Sequence, residues 1–216
     1  MINIRSSLPE VPVETAAGTI PCYMAGRGRL NFILLHGLNS YSGTWKKNVG
    51  MFESLGRVCA PTLPRTPMLR NGDWREPLDA LTSSVSALME AVNFTPAVIV
   101  GNSMGGAIGM RLASTRPEMV SALVLVDSAI AQRRSGGGGQ DADPPMPGTK
   151  LERMPVLIVW GEEDRVIPLS RGRELHAMLH GSRMDVIAGC GHIPHLEKPD
   201  IFNALVMEFV KDSLVA

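Results

Sequence analysis

The sequence predicts an α/β protein with a doubly wound, mostly parallel sheet and helices on both faces, and two features indicate this. Short apolar runs, typical of strands buried on both faces, recur at residues 31–35, 98–100 and 122–126. Segments between such runs carry apolar residues at helical spacing, as in residues 77–94. Because the chain has 216 residues, of which 44% are hydrophobic, we expect one domain over residues 1–216.

The elements alternate along the chain. Two short strands are expected within residues 11–25, joined by a turn near Gly18. Further strands are predicted at residues 31–35, 57–61, 98–100, 122–126, 156–160 and 184–187. Helices are predicted at residues 42–55, 77–94, 107–115, 170–179 and 199–210. Residues 61–71 contain three prolines and are predicted to form a loop.

The segment around Ser103 carries the strongest functional signal. Gly101, Ser103 and Gly105 form a Gly-x-Ser-x-Gly string between a buried strand and a helix, which is the context of a nucleophile elbow. The turn is so tight that flanking side chains would collide, and Gly101, Gly105 and Gly106 remove them. We therefore expect a strained Ser103 at the apex, with its hydroxyl above the edge of the sheet.

A serine nucleophile needs a base, and the base needs an acid that orients it. Ligands of parallel sheets bind beyond the carboxyl ends of the strands, so polar residues after strands are the candidates. His192, in a glycine-rich loop after the last predicted strand, is the candidate base. Two candidate acids, Asp127 and Asp164, each follow a strand, and the strand pattern alone leaves both open.

The reaction also needs hydrogen-bond donors for a developing oxyanion. The backbone N–H of Met104, directly after the candidate nucleophile, is one expected donor. The backbone N–H of Leu38, in the loop after the strand at residues 31–35, is the second. We expect a structural role for His36, and a structural or pocket-wall role for His195.

Composition excludes several other classes of function. Lys and Arg together number 21, as do Asp and Glu, so the charge favours neither nucleic acid nor an anionic membrane as a partner. Cys22, Cys59 and Cys190 fit no zinc pattern and no disulfide framework, which predicts a reducing cytoplasm. Residues 1–10 lack the apolar core of a signal peptide. We expect no metal and no cofactor, since no metal-ligand cluster, dinucleotide fingerprint or phosphate loop is present.

Four strings, taken together, resemble the α/β-hydrolase superfamily. They are LLHG at residues 34–37, VGNSMGG at 100–106, VWGEEDRVIP at 159–168 and GCGHIPHLEKP at 189–199. Their order, serine then aspartate then histidine, is the order of that superfamily. The resemblance implies a catalytic triad of Ser103, His192 and Asp164, and so favours Asp164 over Asp127.

The resemblance also implies a class of reaction. A serine carboxylesterase that forms an acyl-enzyme from a small-molecule ester is the expected function. The elbow sequence is similar to that of the branch that hydrolyses carbon–carbon bonds in dienoic ketoacids, which is the alternative. A weakly active or inactive scaffold is the remaining alternative.

The segment between the strands at residues 122–126 and 156–160 departs from the superfamily pattern, in which a helical cap usually stands here. In this chain the segment includes four consecutive glycines, at 136–139, followed by polar residues and prolines. Such a composition is typical of a flexible linker. We therefore predict that residues 130–150 form a linker in place of a deleted cap. Apolar surface exposed by that deletion would favour self-association.

Overall fold

An eight-stranded sheet forms the centre of the protein, in a computed structural model that describes residues 8–65, 75–129 and 154–215. The strands are β1 (Val11–Thr15), β2 (Gly18–Gly26), β3 (Leu30–Leu35), β4 (Gly56–Pro61), β5 (Ala97–Asn102), β6 (Val120–Val126), β7 (Val156–Gly161) and β8 (Arg183–Ile187). Their order in the sheet is β1-β2-β4-β3-β5-β6-β7-β8. Strand β2 is antiparallel to β1 and β4, and the remaining neighbours are parallel. The predicted fold class is confirmed.

Helices cover both faces of this sheet. They are α1 (Val49–Leu55), α2 (Arg75–Ala91), α3 (Met104–Thr115), α4 (Leu169–Met178), α5 (Pro194–Glu197) and α6 (Pro199–Val210). Apolar side chains of α2, α3 and α4 pack in one core cluster on one face. Those of α1 and α6 pack in a second cluster on the opposite face. The protein therefore has three layers, with the parallel strands at the centre.

Strand β3 shows why the central strands are continuous apolar runs in the sequence. Ile33 and Leu35 belong to one core cluster, whereas Phe32 and Leu34 belong to the other. Successive side chains of a strand point to opposite faces, and here both faces are covered. All four side chains are 0% exposed, so both faces of β3 are buried over residues 32–35.

The prediction of one continuous helix over residues 42–55 is wrong. The structure has a 3₁₀ turn at Ser42–Trp45, and α1 begins only after Asn48. The Asn48 amide donates hydrogen bonds to the carbonyl oxygen of His195 (3.0 Å) and to Asn203 Oδ1 (2.9 Å). These distant contacts fix the chain at Asn48, so tertiary structure overrides the local helical pattern.

Some expectations lie wholly or partly outside the described residues. The predicted linker at residues 130–150 does, and the predicted loop at 61–71 is described only as far as residue 65. None of the helices in the described part of the chain combines the length and apolar character that a bilayer crossing needs. Cys22, Cys59 and Cys190 are buried free thiols.

Helix α3 packs against the sheet through glycines. A β-carbon at Gly105 would overlap the backbone carbonyl of Leu35, at the end of β3. A β-carbon at Gly101 would overlap the backbone of Gly105, and one at Gly106 would overlap the Ser128 side chain. The start of α3 is thus in backbone contact with two strands, which fixes the position of the residue before it, Ser103.

Replacing Gly105 by Ala is expected to lower the free energy of unfolding by about 1–3 kcal/mol or more, since the obstructing Leu35 carbonyl is part of the sheet. Gly50→Ala is the matched control, because that exposed glycine in α1 has open space around its β-carbon position. The control should raise stability, by up to about 1 kcal/mol. Denaturant unfolding measures both values. A Gly105→Ala protein as stable as the wild type would contradict the close packing of α3.

Candidate active site

The candidate residues meet at one edge of the sheet. Ser103 follows β5, Asp127 follows β6, Asp164 follows β7, and His192 lies in the loop after β8. These strands are parallel neighbours in this order, so their carboxyl ends lie side by side. The topology thus gathers residues that are far apart in sequence.

Ser103 occupies a strained turn. Its backbone has φ 53° and ψ −115°, a left-handed φ that a residue with a side chain rarely adopts. The Ser103 N–H donates to the carbonyl oxygen of Val126 (2.9 Å), and the Ser103 carbonyl accepts from the N–H of Ala129 (3.0 Å). Both partners lie in β6 or just after it, so this strand holds the strained residue in place.

Asp164 and His192 form the central pair of the site. Their side chains are joined by a hydrogen bond of 2.7 Å between His192 Nδ1 and Asp164 Oδ2. The other carboxylate oxygen, Oδ1, accepts from the N–H groups of Val166 (2.7 Å) and Ile167 (3.0 Å). A carboxylate accepts hydrogen bonds, so we assign the proton to Nδ1 of the ring, which leaves Nε2 free to act as a base.

The pair brings together two of the predicted triad residues. The Asp164 side chain is 0% exposed, whereas that of His192 is 19% exposed and so reaches the surface. In the part of the chain that the structure describes, no hydrogen bond joins Ser103 Oγ to His192. Such contacts are often long without substrate and tighten when it binds.

Two residues that the sequence analysis missed hold the His192 loop. Asn102 Nδ2 donates to the carbonyl oxygen of His192 and to that of Val126, each at 3.1 Å. The carboxylate of Glu197 accepts from the N–H groups of Gly191 (2.9 Å) and Ile193 (3.2 Å), on either side of His192. The only sequence signal was their presence in the motif strings, since both contacts depend on how the loop folds back.

The other two histidines in the motif strings are structural. His36 Nδ1 is 2.7 Å from the carbonyl oxygen of Gly37, and its Nε2 accepts from the N–H of Leu63 (2.9 Å), which ties together the loops after β3 and β4. Burial lowers the pKa of His36. His195 is fully buried, stacks on Trp45 and lies 2.7 Å from Thr44 Oγ1 through Nε2. Burial, followed by the charge of His192, lowers the pKa of His195 to about 3.

Asp127 lies beside the pair without a hydrogen bond to His192. It is 0% exposed, and its Oδ1 accepts from the N–H of Gly161 (2.9 Å). The pKa of Asp127 is raised to about 9, and burial is the largest cause. The Gly161 hydrogen bond opposes the rise in this pKa, whereas the charge and side-chain hydrogen bonding of Asp164 and the charge of Glu197 add to it. The structure therefore joins His192 to Asp164 and leaves Asp127 as a neighbouring carboxyl group.

Ligand-type atoms of Asp127, Asp164 and His192 lie within 4.8 Å of one another, a spacing that suits a metal ion. The His192–Asp164 hydrogen bond already occupies one nitrogen and one oxygen of these side chains. A metal ion at this position would have to replace the proton of that hydrogen bond.

The predicted oxyanion donors flank the elbow. Met104 is the first residue of α3, where backbone N–H groups have no partner within the helix. Leu38 follows Gly37, and a β-carbon on Gly37 would lie 3.4 Å from Ser103 Cβ. The loop that carries Leu38 therefore passes directly beside the serine. Together with the helix dipole, this arrangement suits the stabilisation of a negative charge near Ser103.

Comparisons with known proteins identify the family. A model described as "Alpha/beta hydrolase family" matches residues 32–150. A 2-hydroxy-6-oxo-6-phenylhexa-2,4-dienoate hydrolase of Comamonas testosteroni is 25% identical over 87% of this chain and 89% of its own. Lipase LipV of Mycobacterium tuberculosis is 34% identical over 48% of this chain and 39% of its own.

A solved structure shares the fold. The predicted CIB-like hydrolase of Thermoplasma acidophilum superimposes with a TM-score of 0.79, at 23% identity, over 95% of this chain and 99% of its own. The family model covers more than half of the sequence, including the elbow and the strands on either side of it. The chain belongs to the alpha/beta hydrolase family.

Proposed function

We propose that the protein is a serine hydrolase that cleaves small-molecule carboxylic esters through an acyl-enzyme. The observation that carries the proposal is the 2.7 Å hydrogen bond between His192 Nδ1 and Asp164 Oδ2, which leaves Nε2 available as a base. The backbone of His192 is hydrogen-bonded to Asn102, the residue before Ser103. The lipase named among the relatives supports ester chemistry. Family membership supports hydrolysis in general and is compatible with several substrate classes.

In the acylation half-reaction, Ser103 Oγ attacks the ester carbonyl carbon while His192 Nε2 takes the serine proton. Asp164 keeps the imidazole oriented and stabilises its positive charge. The N–H groups of Met104 and Leu38 are proposed to bind the oxyanion of the tetrahedral intermediate. The intermediate then expels the alcohol, which takes its proton from His192, and an ester of Ser103 remains.

In the deacylation half-reaction, a water molecule replaces the alcohol. His192 Nε2 removes a proton from this water, whose oxygen attacks the acyl carbon. The second tetrahedral intermediate breaks its bond to Ser103 Oγ, and His192 returns the proton to the serine. The carboxylic acid leaves, and the enzyme is restored without a cofactor.

We also propose that the site lacks the helical cap of its relatives. The alignment with the Comamonas hydrolase extends over 265 positions, more than the 216 residues of this chain, so that relative carries residues with no counterpart here. An uncovered site exchanges water freely, which weakens charge stabilisation around the oxyanion. It also admits bulky esters that a cap would block, and the apolar surface around it would favour self-association.

The first test is hydrolysis of a short-chain p-nitrophenyl ester. Ser103→Ala is expected to lower kcat/KM by on the order of 10³–10⁶-fold, because the nucleophile is lost while binding and the oxyanion donors remain. Ser83→Ala, at an exposed position in α2, is the matched control and should keep wild-type activity. Equal activity in the Ser103→Ala and wild-type proteins would refute the acyl-enzyme mechanism.

A second prediction concerns the orienting acid. Asp164→Asn is expected to lower kcat on the order of 10⁴-fold, because an amide at this position can donate to His192 Nδ1 and so select the wrong tautomer. Steady-state kinetics with the same ester measures the loss, and circular dichroism shows whether the variant is folded. A folded variant with nearly full activity would remove Asp164 from the mechanism.

Carbon–carbon bond hydrolysis is the second candidate function. It is favoured by the Comamonas relative, whose name describes hydrolysis of a phenyl-substituted oxo-dienoate. The two candidates separate when wild-type protein is offered a dienoic ketoacid and a p-nitrophenyl ester in parallel. We expect kcat/KM to be higher for the ester, because an uncovered site provides few contacts to orient a ketoacid. The opposite ranking would make carbon–carbon hydrolysis the primary activity.

A further inference from the structure

Asp127 is a buried carboxyl group that the mechanism above does not use. It is 0% exposed and has a left-handed φ of 42° directly after β6. Its Oδ1 accepts one hydrogen bond, from the N–H of Gly161. Its Oδ2 is buried and has no well-formed hydrogen bond among the described residues. An ionised carboxylate placed there would be poorly solvated.

Asp127 also lies close to a better-stabilised carboxylate. One oxygen or nitrogen atom from each of Asp127, Asp164 and His192 lies within 4.8 Å of the other two. Asp164 accepts two backbone N–H groups and the imidazole N–H, whereas Asp127 accepts a single N–H. Two adjacent carboxyl groups do not both ionise without a large cost, and the one with fewer donors retains the proton.

Two further ionisable groups near Asp127, Glu197 and Cys190, provide no positive charge that would stabilise its ionised form. Glu197, on α5, adds negative charge that disfavours ionisation of Asp127. Cys190, in the loop after β8, adds no charge at neutral pH, because burial together with Glu197 and Asp127 raises the pKa of its thiol to about 12. His192 is a further ionisable group beside Asp127, and its Nδ1 is already bonded to Asp164.

We propose that Asp127 is a positioning residue that remains a neutral carboxylic acid in the working enzyme and directs its proton towards Asp164. Of the two carboxyl groups, Asp164 alone then carries the negative charge that orients His192. The catalytic part of this inference rests on the proposed function. The protonation state of Asp127 does not depend on the proposed function, and it can be measured whether or not the protein hydrolyses esters.

The first arm of the experiment is the pH profile of kcat/KM for the p-nitrophenyl ester. Asp127→Asn replaces one neutral hydrogen-bond donor by another of the same shape, so we expect near wild-type activity and an unchanged acid-side midpoint. If Asp127 were ionised, the variant would remove a negative charge beside the imidazole. The midpoint would then move to lower pH by on the order of one to three units, which would overturn the proposal.

Asp127→Leu tests the positioning role, because it removes the donor. We expect kcat to fall while KM changes little, with the loss absent in Asp127→Asn. A merely space-filling role predicts that both variants behave alike. A folded Asp127→Leu enzyme with wild-type kcat would refute positioning.

The second arm is stability as a function of pH, which needs no activity. A raised pKa means that folded protein holds a proton on Asp127 that the unfolded chain releases above about pH 4. Folding stability from this group therefore falls as pH rises towards 9. Asp127→Asn removes this loss, so its stability relative to wild type should grow between about pH 5 and about pH 8.

Asp200→Asn makes the same chemical change at an exposed position in α6 and should show no such growth. A difference in stability between the Asp127→Asn and wild-type proteins that is constant across this pH range would overturn the proposal.

If Asp127→Asn does not fold, carbon-13 NMR of the aspartate carboxyl groups in wild-type protein tests the protonation of Asp127 directly. One resonance should titrate near pH 9, and its absence would overturn the proposal. An inert protein that shows the expected pH-dependent stability difference, or the carboxyl resonance that titrates near pH 9, would refute the esterase alone.

Discussion

The strained backbone of Ser103 is the constraint on which the rest of the site depends. A left-handed φ at a residue with a side chain costs on the order of 1–3 kcal/mol and persists only where the surroundings impose it. Here the imposing groups are the carbonyl oxygen of Val126 and the N–H of Ala129, both in or just after β6. Gly105, in contact with β3, prevents α3 from moving away to relieve the turn. The nucleophile is therefore placed by three neighbouring strands rather than by its own loop.

The same strand positions the base. Asn102 bridges the carbonyl oxygens of Val126 and His192, so β6 acts on the nucleophile through one hydrogen bond and on the base through another. Glu197 fixes the loop from its other side. The backbone on both sides of the candidate site is thus held by hydrogen bonds that are already formed, which is what a preorganised site needs.

The sequence predicted the layered fold well, because apolar runs such as residues 31–35 and helical stripes such as residues 77–94 record burial directly. It also named Asp164 and His192, which the structure joins, and Ser103, which the structure places at the same sheet edge. It did not predict the break in the helix at residues 42–55, since that break depends on contacts between Asn48 and residues 147 and 155 positions away.

The sequence also did not predict that the two acids have different environments. Asp127 and Asp164 both follow apolar strands, and the strand pattern does not show which of them bonds to His192. They differ in hydrogen-bond donors. The backbone after Asp164 turns so that the N–H groups of Val166 and Ile167 face its carboxylate, whereas among the described residues Asp127 accepts only from the N–H of Gly161. The number of donors around a carboxylate depends on backbone geometry, which propensities do not describe.

The order of strands in the sheet has a consequence for synthesis on the ribosome. The turn of Ser103 can form once β3, β5 and β6 have emerged, since its backbone partners all lie in or next to these strands. His192 and the carboxylate of Glu197 emerge much later, and they close the site from the far end of the sheet. A nascent chain can therefore form the turn of Ser103 before the His192 loop and Glu197 have been synthesised.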